Sequence, residues 1–259
     1  MQLSYDITRH EREDSEWVVL IHGFGGNRGM WGRQMNTLRQ KYHILNIDLP
    51  GHGDSEDVPP QGDLMTATVE AIYTTMRQNG IDKAHFMGVS LGTIFAILMG
   101  MMHPEVVIDM VLCGVIIGVN GIGGVLLNIA NIVKGFVPYL WLYKLMARVL
   151  LPRRKSDFSR RLFIKSAKRL GEKQFRFWML SMIAAKKNFA ISAEHIANMP
   201  KLCVMGEHDS LFLRMLLRAN REDYGFLIKT IADCGHLCNI EKPKEFNELA
   251  VAFFANGAV

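Results

Sequence analysis

The stretch Met87–Thr93, MGVSLGT, places Ser90 between two glycines, after one apolar run and before another. If a strand ends and a helix begins at Ser90, this residue occupies a sharp corner. The residues two positions away must then lack side chains, because the strand and the helix approach each other closely. Gly88 and Gly92 meet that requirement. The stretch therefore predicts an exposed serine on a strand-to-helix turn, although a plain polar turn residue would fit the same short pattern.

Apolar runs typical of strands alternate with helical patterns along most of the chain. The apolar runs are Trp17–Ile21, His43–Ile47, His85–Val89, Val106–Leu112, Leu202–Met205 and Phe226–Ile231. Helical patterns cover residues 31–40, 64–79, 91–103, 211–219 and 244–255. Residues 3–8 are predicted to form an antiparallel edge strand. This alternation predicts an α/β fold, with a mainly parallel sheet covered by helices on both faces.

Between residues 117 and 197 the pattern is only helical. The helical stretches are Phe136–Leu151, Phe158–Leu170 and Glu172–Lys187. Ligands of open parallel sheets bind beyond the carboxyl ends of the strands, which is where this segment leaves the sheet. We therefore predict core residues 1–116, an inserted helical cap at 117–197, and core residues 198–259.

The composition is that of a folded globular protein, with 49% hydrophobic and 21% charged residues in a chain of 259. The formal net charge is +5, but its distribution is uneven. Residues 151–190 contain twelve lysines or arginines and two acidic residues. This asymmetry predicts that the cap has a surface unlike the rest of the chain, and it leaves peripheral contact with an anionic membrane open.

The four cysteines are scattered along the chain: Cys113, Cys203, Cys234 and Cys238. They do not suggest a disulfide framework, which favours a reducing cytoplasm as the location. The charged first 16 residues lack the apolar region of a signal peptide. Residues 110–133 are uncharged and long enough to span a bilayer, but three asparagines and five glycines favour a buried strand followed by a connection.

Two further polar side chains follow predicted strands. Asp209 comes after the run that ends at Met205, and His236 comes after the last strand. A serine hydroxyl needs a base to become a nucleophile, and the base needs an acid that orients it. The order serine, acid, histidine is the one expected when the serine lies on a strand-to-helix turn. Glu207 is the rival acid, since Asp209 could instead cap the helix that follows it.

Five motifs occur in an order that a known superfamily shares. They are HGFGG (22–26), DLPGHGDS (48–55), GVSLG (88–92), GEHD (206–209) and the Gly-His pair at 235–236. In these motifs the chain resembles the α/β-hydrolase superfamily, over nearly all of its length outside the predicted cap. The resemblance implies that Ser90 is the nucleophile, His236 the general base and then acid, and Asp209 the orienting acid. It also implies an oxyanion hole made by the backbone N–H groups of Phe24 and Leu91.

The resemblance, with a serine as nucleophile, predicts a carboxylesterase-type serine hydrolase that forms an acyl-enzyme on Ser90. Hydrolysis of lactones, thioesters or carbon–carbon bonds by the same triad is the alternative, as is a ligand receptor with negligible turnover. The chain has no Gly-x-Gly-x-x-Gly motif and no phosphate loop, so no cofactor is predicted. No metal is predicted, because Cys-x-His-x-Cys around His236 is not a usual zinc spacing. No nucleic acid is predicted as a partner, because the basic residues of the cap have few aromatic residues between them.

The predicted partner is a small ester with an apolar acyl group. Candidate side chains for an acyl pocket in the cap are Trp141, Leu145 and Trp178. Alternatively, the apolar side chains of the cap pack it onto the core, while its lysines and arginines form a solvated face. The sequence does not indicate an oligomeric state.

Overall fold

A computed structural model of the chain describes residues 1–58, 63–117, 137–151, 157–188, 198–220 and 224–257. Seven strands in these ranges form one sheet in the order β1-β3-β2-β4-β5-β6-β7. They are β1 Tyr5–Thr8, β2 Trp17–Ile21, β3 His43–Ile47, β4 Ala84–Val89, β5 Val107–Cys113, β6 Lys201–Gly206 and β7 Leu227–Ile231. Only the pairing of β1 with β3 is antiparallel among these strands. The predicted α/β sheet and its antiparallel edge strand are confirmed.

The described helices lie close to the positions that the sequence predicts. They are α1 Gly32–Leu38, α2 Leu64–Gln78, α3 Leu91–Met102, α4 Tyr139–Leu150, α5 Asp157–Asn188, α6 Ser210–Ala219, α7 Cys238–Glu241 and α8 Pro243–Asn256. Two 3-10 turns are also present, at Arg28–Trp31 and Pro104–Val106.

The five central strands, β2 to β6, are packed on both faces, and their successive side chains enter two separate apolar clusters. In β2, Val19 and Ile21 join the cluster that contains α2 and α3, whereas Val18 and Leu20 join the cluster that contains α1 and α8. A strand buried on both faces is a continuous apolar run instead of an alternating one. This double burial explains why the strands are recognisable in the sequence as short apolar runs.

Helices α4 and α5 come between β5 and β6 in the chain and pack on the same side of the sheet as α3. Tyr143 of α4 lies 4.4 Å from Phe163 of α5, measured between ring centroids. Trp178 of α5 meets Phe95 of α3 edge to face at 5.9 Å. Gly171, with φ of 77°, interrupts the helical backbone of α5 at the boundary predicted between two helical stretches. The remaining parts of the predicted cap fall in residues 118–136, 152–156 and 189–197, outside the described ranges.

Two glycines allow β4 and α3 to meet at Ser90. A Cβ atom on Gly88 would lie 2.5 Å from the carbonyl oxygen of Gly92, and one on Gly92 would collide with the carbonyl oxygen of Ile21. Ser90 itself has φ of 53° and ψ of −115°, in a region that residues with a side chain rarely adopt. The close approach predicted for this turn is present.

In the parts of the chain that the structure describes, no helix has both the length and the apolar character needed to cross a bilayer. Of the uncharged stretch at 110–133, the first residues belong to β5, as predicted. Its residues beyond 117 lie outside the described ranges.

Replacing Gly88 with alanine should destabilise the fold, because the added methyl group has no space against the backbone of Gly92. We expect the free energy of unfolding to fall by about 1–3 kcal/mol, the usual range for overpacking. Gly32 is the matched control, since a Cβ there meets nothing within 4 Å. Gly32→Ala should raise the stability by about 0.4–1 kcal/mol. Urea denaturation of both variants checks this, and equal stabilities would contradict the steric account of the turn.

Candidate active site

Ser90, His236 and Asp209 form one hydrogen-bonded chain at the carboxyl ends of the strands. The Ser90 hydroxyl lies 2.9 Å from His236 Nε2, and His236 Nδ1 lies 2.7 Å from Asp209 Oδ2. His236 and Asp209 are buried, whereas Ser90 is only half-buried. The arrangement orients the imidazole with Nδ1–H donating to the carboxylate, so that Nε2 is free to accept the serine proton.

The turn after β6 shows which of the two candidate acids, Asp209 or Glu207, contacts His236. Asp209 directly precedes α6, but its side chain makes no capping hydrogen bond to that helix and contacts His236 instead. Glu207 is exposed and accepts the backbone N–H of Asp233 at 3.1 Å. Asp209 is therefore the carboxylate that contacts the histidine.

The backbone at residues 23–24 runs directly beside Ser90. A Cβ atom on Gly23 would lie 3.2 Å from Ser90 Cβ and 3.1 Å from the carbonyl oxygen of Val89. Leu91 begins α3, so its N–H is one of the helix-initial groups without an intrahelical partner. Among the described residues, neither the N–H of Phe24 nor that of Leu91 has a hydrogen-bond acceptor. Both amides therefore belong to backbone that adjoins Ser90, and both are available as donors among the described residues.

Two hydrogen bonds hold the peptide unit that carries the Phe24 N–H. Its carbonyl oxygen, that of Gly23, accepts the N–H of Gly26 at 2.9 Å and His22 Nδ1–H at 2.8 Å. The C=O and N–H groups of a trans peptide point in opposite directions. Because the Gly23 carbonyl oxygen faces Gly26 and His22, the Phe24 N–H points away from them. His22 is in turn oriented by the N–H of Leu49, which donates to Nε2 at 2.9 Å.

The next peptide unit, between Phe24 and Gly25, is held at both of its polar atoms. The Phe24 carbonyl oxygen accepts the Tyr143 hydroxyl at 2.8 Å, and the Gly25 N–H donates to His52 Nε2 at 2.9 Å. Tyr143 is buried, and burial raises the pKa of its hydroxyl well above the usual value, so it stays a donor. This contact connects α4 to the backbone beside Ser90.

Burial keeps His22 and His52 neutral. Desolvation lowers the pKa of His22 to about 4 and that of His52 to about 3, and the proximity of the two imidazoles contributes to the shift at His52. Each ring uses one nitrogen as donor and the other as acceptor, which requires the neutral form. A proton added to either ring would remove the acceptor for the Leu49 or the Gly25 N–H.

The three side chains predicted for an acyl pocket do not line one in this arrangement. Trp141 and Leu145 are 68% and 55% exposed, because they lie on the side of α4 opposite the buried Tyr143. Trp178 is completely buried, and its Nε1–H donates to the Pro50 carbonyl oxygen at 2.9 Å. Trp178 therefore supports the loop after β3 and has no free surface for a ligand.

Other residues that contact the site were not foreseen. Phe212 of α6 packs on the His236 ring at a centroid distance of 5.1 Å. A Cβ atom on Gly114 would lie 2.9 Å from His236 Nδ1, so β5 ends directly against the imidazole. Phe212 follows Asp209 by three residues, and residues at this spacing on a helix lie on the same face. The sequence could therefore have indicated that Phe212 lies near the histidine. Tyr143 lies 119 positions from Phe24 in the chain and has no comparable signal.

The two cysteines that flank His236 are buried beside Cys113. All four cysteines are free and buried. Hydrogen bonding to the thiols of Cys113 and Cys234, together with burial, raises the pKa of the Cys238 thiol. Among the residues that the structure describes, no group of histidine, cysteine or carboxylate side chains has an arrangement suited to a metal ion.

The sequence model of the alpha/beta hydrolase family matches residues 18–249. The chain belongs to this family. A relative of this hydrolase in Klebsiella pneumoniae, 2-hydroxy-6-oxononadienedioate/2-hydroxy-6-oxononatrienedioate hydrolase, is 26% identical over 94% of this chain and 88% of its own length. The putative carbamate hydrolase RutD of Cronobacter turicensis is 28% identical over a shorter match, which covers 37% of this chain and 36% of RutD.

Among solved structures, an esterase from Exiguobacterium antarcticum superposes on the hydrolase with a TM-score of 0.81. The comparison covers 98% of this chain and 96% of that one at 16% identity. At this identity the similarity establishes a common fold.

Protonation of the buried histidines should make the hydrolase less stable in mild acid. In the unfolded chain these histidines have a pKa of about 6.5, so below that pH they bind protons that the folded chain excludes. The free energy of unfolding therefore falls as the pH decreases from 6.5 toward 4. One such histidine changes the free energy of unfolding by about 1.4 kcal/mol per pH unit. His52→Gln should therefore have a shallower decline than the wild type between pH 6 and pH 4. Urea denaturation at each pH checks this, and identical slopes would show that His52 already binds a proton in the folded state.

Proposed function

We propose that this chain is a cofactor-independent serine hydrolase that cleaves carboxylic esters through an acyl-enzyme on Ser90. The observation that carries the proposal is the continuous hydrogen bonding from the Ser90 hydroxyl through His236 to Asp209, with distances of 2.9 Å and 2.7 Å. A serine with a hydrogen-bonded base and an acid behind it is the arrangement of an activated oxygen nucleophile.

In the proposed reaction, Ser90 Oγ attacks the ester carbonyl carbon while His236 Nε2 takes the hydroxyl proton. His236 then gives this proton to the departing alcohol, which leaves an acyl group on Ser90. A water molecule, deprotonated by the same nitrogen, attacks the acyl carbon and releases the acid. Asp209 stays ionised and stabilises the imidazolium that forms in both steps.

The negative charge on the carbonyl oxygen would be stabilised by the N–H groups of Phe24 and Leu91. Such donors contribute most when they are held in place before the reaction, so that no reorientation is needed as charge develops. The hydrogen bonds on the two peptide units at residues 23–25 supply this rigidity. The amino end of α3 adds a favourable dipole at the same position.

A second reaction is compatible with the same residues. The Klebsiella relative, which matches along nearly the whole chain, is named as a hydrolase of a 2-hydroxy-6-oxo dienedioate, and this compound presents a carbon–carbon bond next to a ketone. Comparing kcat/KM for aryl esters, lactones and a vinylogous diketone separates the ester proposal from this alternative. Negligible turnover of all three classes would favour a ligand receptor on the same fold.

Replacing Ser90 should abolish turnover, and replacing Asp209 should lower kcat without abolishing it. Ser90→Ala should eliminate the acyl-enzyme route for an aryl ester. Asp209→Asn should lower kcat by about 10⁴, because the amide stabilises the wrong tautomer of His236. Glu207→Gln is the matched control, since this acid contacts the backbone N–H of Asp233 instead of the histidine. A larger loss in Glu207→Gln than in Asp209→Asn would contradict the assignment of the acid.

Removing the Tyr143 hydroxyl should weaken catalysis without weakening binding. Tyr143→Phe leaves the ring packing intact but deletes the hydrogen bond to the Phe24 carbonyl oxygen. We expect kcat for an aryl ester to fall by about three- to tenfold, the equivalent of one hydrogen bond, while KM stays within twofold.

The control is Tyr139→Phe, one turn earlier on α4. Tyr139 packs on Phe175 at 5.7 Å, and no hydrogen bond of its hydroxyl to a described residue is present. This variant should keep the wild-type kcat. Equal kcat values for the two variants would mean that the contact from α4 does not orient the peptide beside Ser90.

A further inference from the structure

Helix α4 has an inner and an outer face of different chemistry. Tyr143 and Ala147 are fully buried on its inner face. Trp141 and Leu145 lie one turn apart on the outer face, and they are the two most exposed large apolar side chains among the described residues. Lys144 and Arg148 are also exposed. We call the four side chains Trp141, Lys144, Leu145 and Arg148 the α4 face.

The charge around the α4 face is positive. The sequence of α4 contains no acidic residue. In the neighbouring α5, Arg161, Lys165 and Lys168 are exposed and recur at intervals of four and three residues, which places them on one side of the helix. Helices α4 and α5 contact each other through the buried Tyr143 and Phe163, and these cations add to the positive charge on the exposed surface of the two helices.

Ion pairing among the described residues distinguishes these cations from several other basic residues of α5. Four basic side chains of α5 pair with carboxylates: Arg160, Arg169, Lys173 and Arg176. Within the described part of the chain, no carboxylate pairs with the cations of the α4 face or with Arg161, Lys165 and Lys168. Exposed cations without partners are available to an anionic surface.

We propose that the α4 face, supported by Arg161, Lys165 and Lys168, docks on the surface of an anionic lipid bilayer. Tryptophan favours the boundary between headgroups and acyl chains, and an exposed leucine next to it adds apolar area that the boundary can bury. Lysine and arginine at the same level attract anionic headgroups. A nucleic acid would use the cations but would leave Leu145 in water, so the combination favours lipid.

This inference does not depend on the reaction proposed for Ser90. The α4 face lies on the side of α4 opposite Tyr143, the residue that contacts the backbone near Ser90. Loss of membrane binding and loss of turnover are therefore separate results, and Ser90→Ala should bind vesicles like the wild type.

The test is co-sedimentation of the full chain with large unilamellar vesicles at low salt. One set contains phosphatidylcholine alone, and the other contains phosphatidylcholine with 30% phosphatidylserine as the anionic probe. We expect at least tenfold stronger partitioning onto the anionic set, and this advantage should decline as salt is raised, because the Debye length shortens from about 30 Å at 0.01 M to about 8 Å at 0.15 M. Equal partitioning onto both sets at low salt would overturn the proposal.

Two pairs of matched variants separate the α4 face from the general positive charge of the chain. Lys144→Gln with Arg148→Gln should weaken partitioning about 25-fold, at about fivefold for each cation near the surface. Lys83→Gln with Lys229→Gln removes the same charge from two exposed positions, one directly before β4 and one on the edge strand β7, and should leave partitioning nearly unchanged. Similarly, Trp141→Ser should weaken partitioning, whereas Leu217→Ser, at an exposed position of α6, should not. Equal effects within either pair would overturn the proposal.

A second copy of the chain is the competing occupant of this face. Sedimentation velocity without vesicles distinguishes it, because a dimer held by the α4 face would dissociate in the Trp141→Ser variant. The fluorescence contributed by Trp141, obtained as the difference between wild type and Trp141→Phe, should be accessible to acrylamide in solution and become shielded on anionic vesicles. Shielding of Trp141 before any lipid is added would contradict the proposal.

Discussion

The left-handed backbone of Ser90 is the constraint on which the geometry of the site depends. A non-glycine residue in a sparsely populated conformation costs about 1–3 kcal/mol and persists only where its surroundings hold it. Here the Ser90 N–H donates to the Cys113 carbonyl oxygen at 2.9 Å, and the Thr93 N–H donates to the Ser90 carbonyl oxygen at the same distance. Gly88 and Gly92 let β2, β4 and α3 approach closely at this turn. The hydroxyl then projects from the sheet toward His236 instead of packing into the core.

A second constraint acts on the backbone beside this serine. The two peptide units at residues 23–25 are hydrogen-bonded to side chains of three different segments. His22 in the same loop and Tyr143 on α4 donate to their carbonyl oxygens, and His52 after β3 accepts the Gly25 N–H. Two of these side chains are neutral only because they are buried, so the polar scaffold depends on the apolar packing around it. Helix α4 thereby contacts the proposed oxyanion-binding backbone with one face, while its other face is exposed and basic.

The sequence predicts those features that depend on short-range patterns. The central strands are recognisable because both of their faces are buried. The proposed triad can be selected from the sequence because Ser90, Asp209 and His236 each follow a strand whose carboxyl end reaches the same edge of the sheet. The sequence alone did not decide between Asp209 and Glu207, because the conformation of the turn after β6 determines which carboxylate reaches His236. The expectation for Trp141, Leu145 and Trp178 was wrong, since an apolar helical stripe does not reveal which face another element covers. Tyr143 was missed because its contact joins positions far apart in the chain.

The most direct test of the account is to identify the residue that carries the acyl group. The wild-type chain is mixed with an aryl ester, quenched in acid during the first turnover, digested and analysed by mass spectrometry. The account predicts an acyl adduct on Ser90 in the wild type, much slower formation of this adduct when His236 is replaced by glutamine, and no adduct in Ser90→Ala. An acyl group on another residue, or turnover of the ester by Ser90→Ala at the wild-type rate, would contradict it.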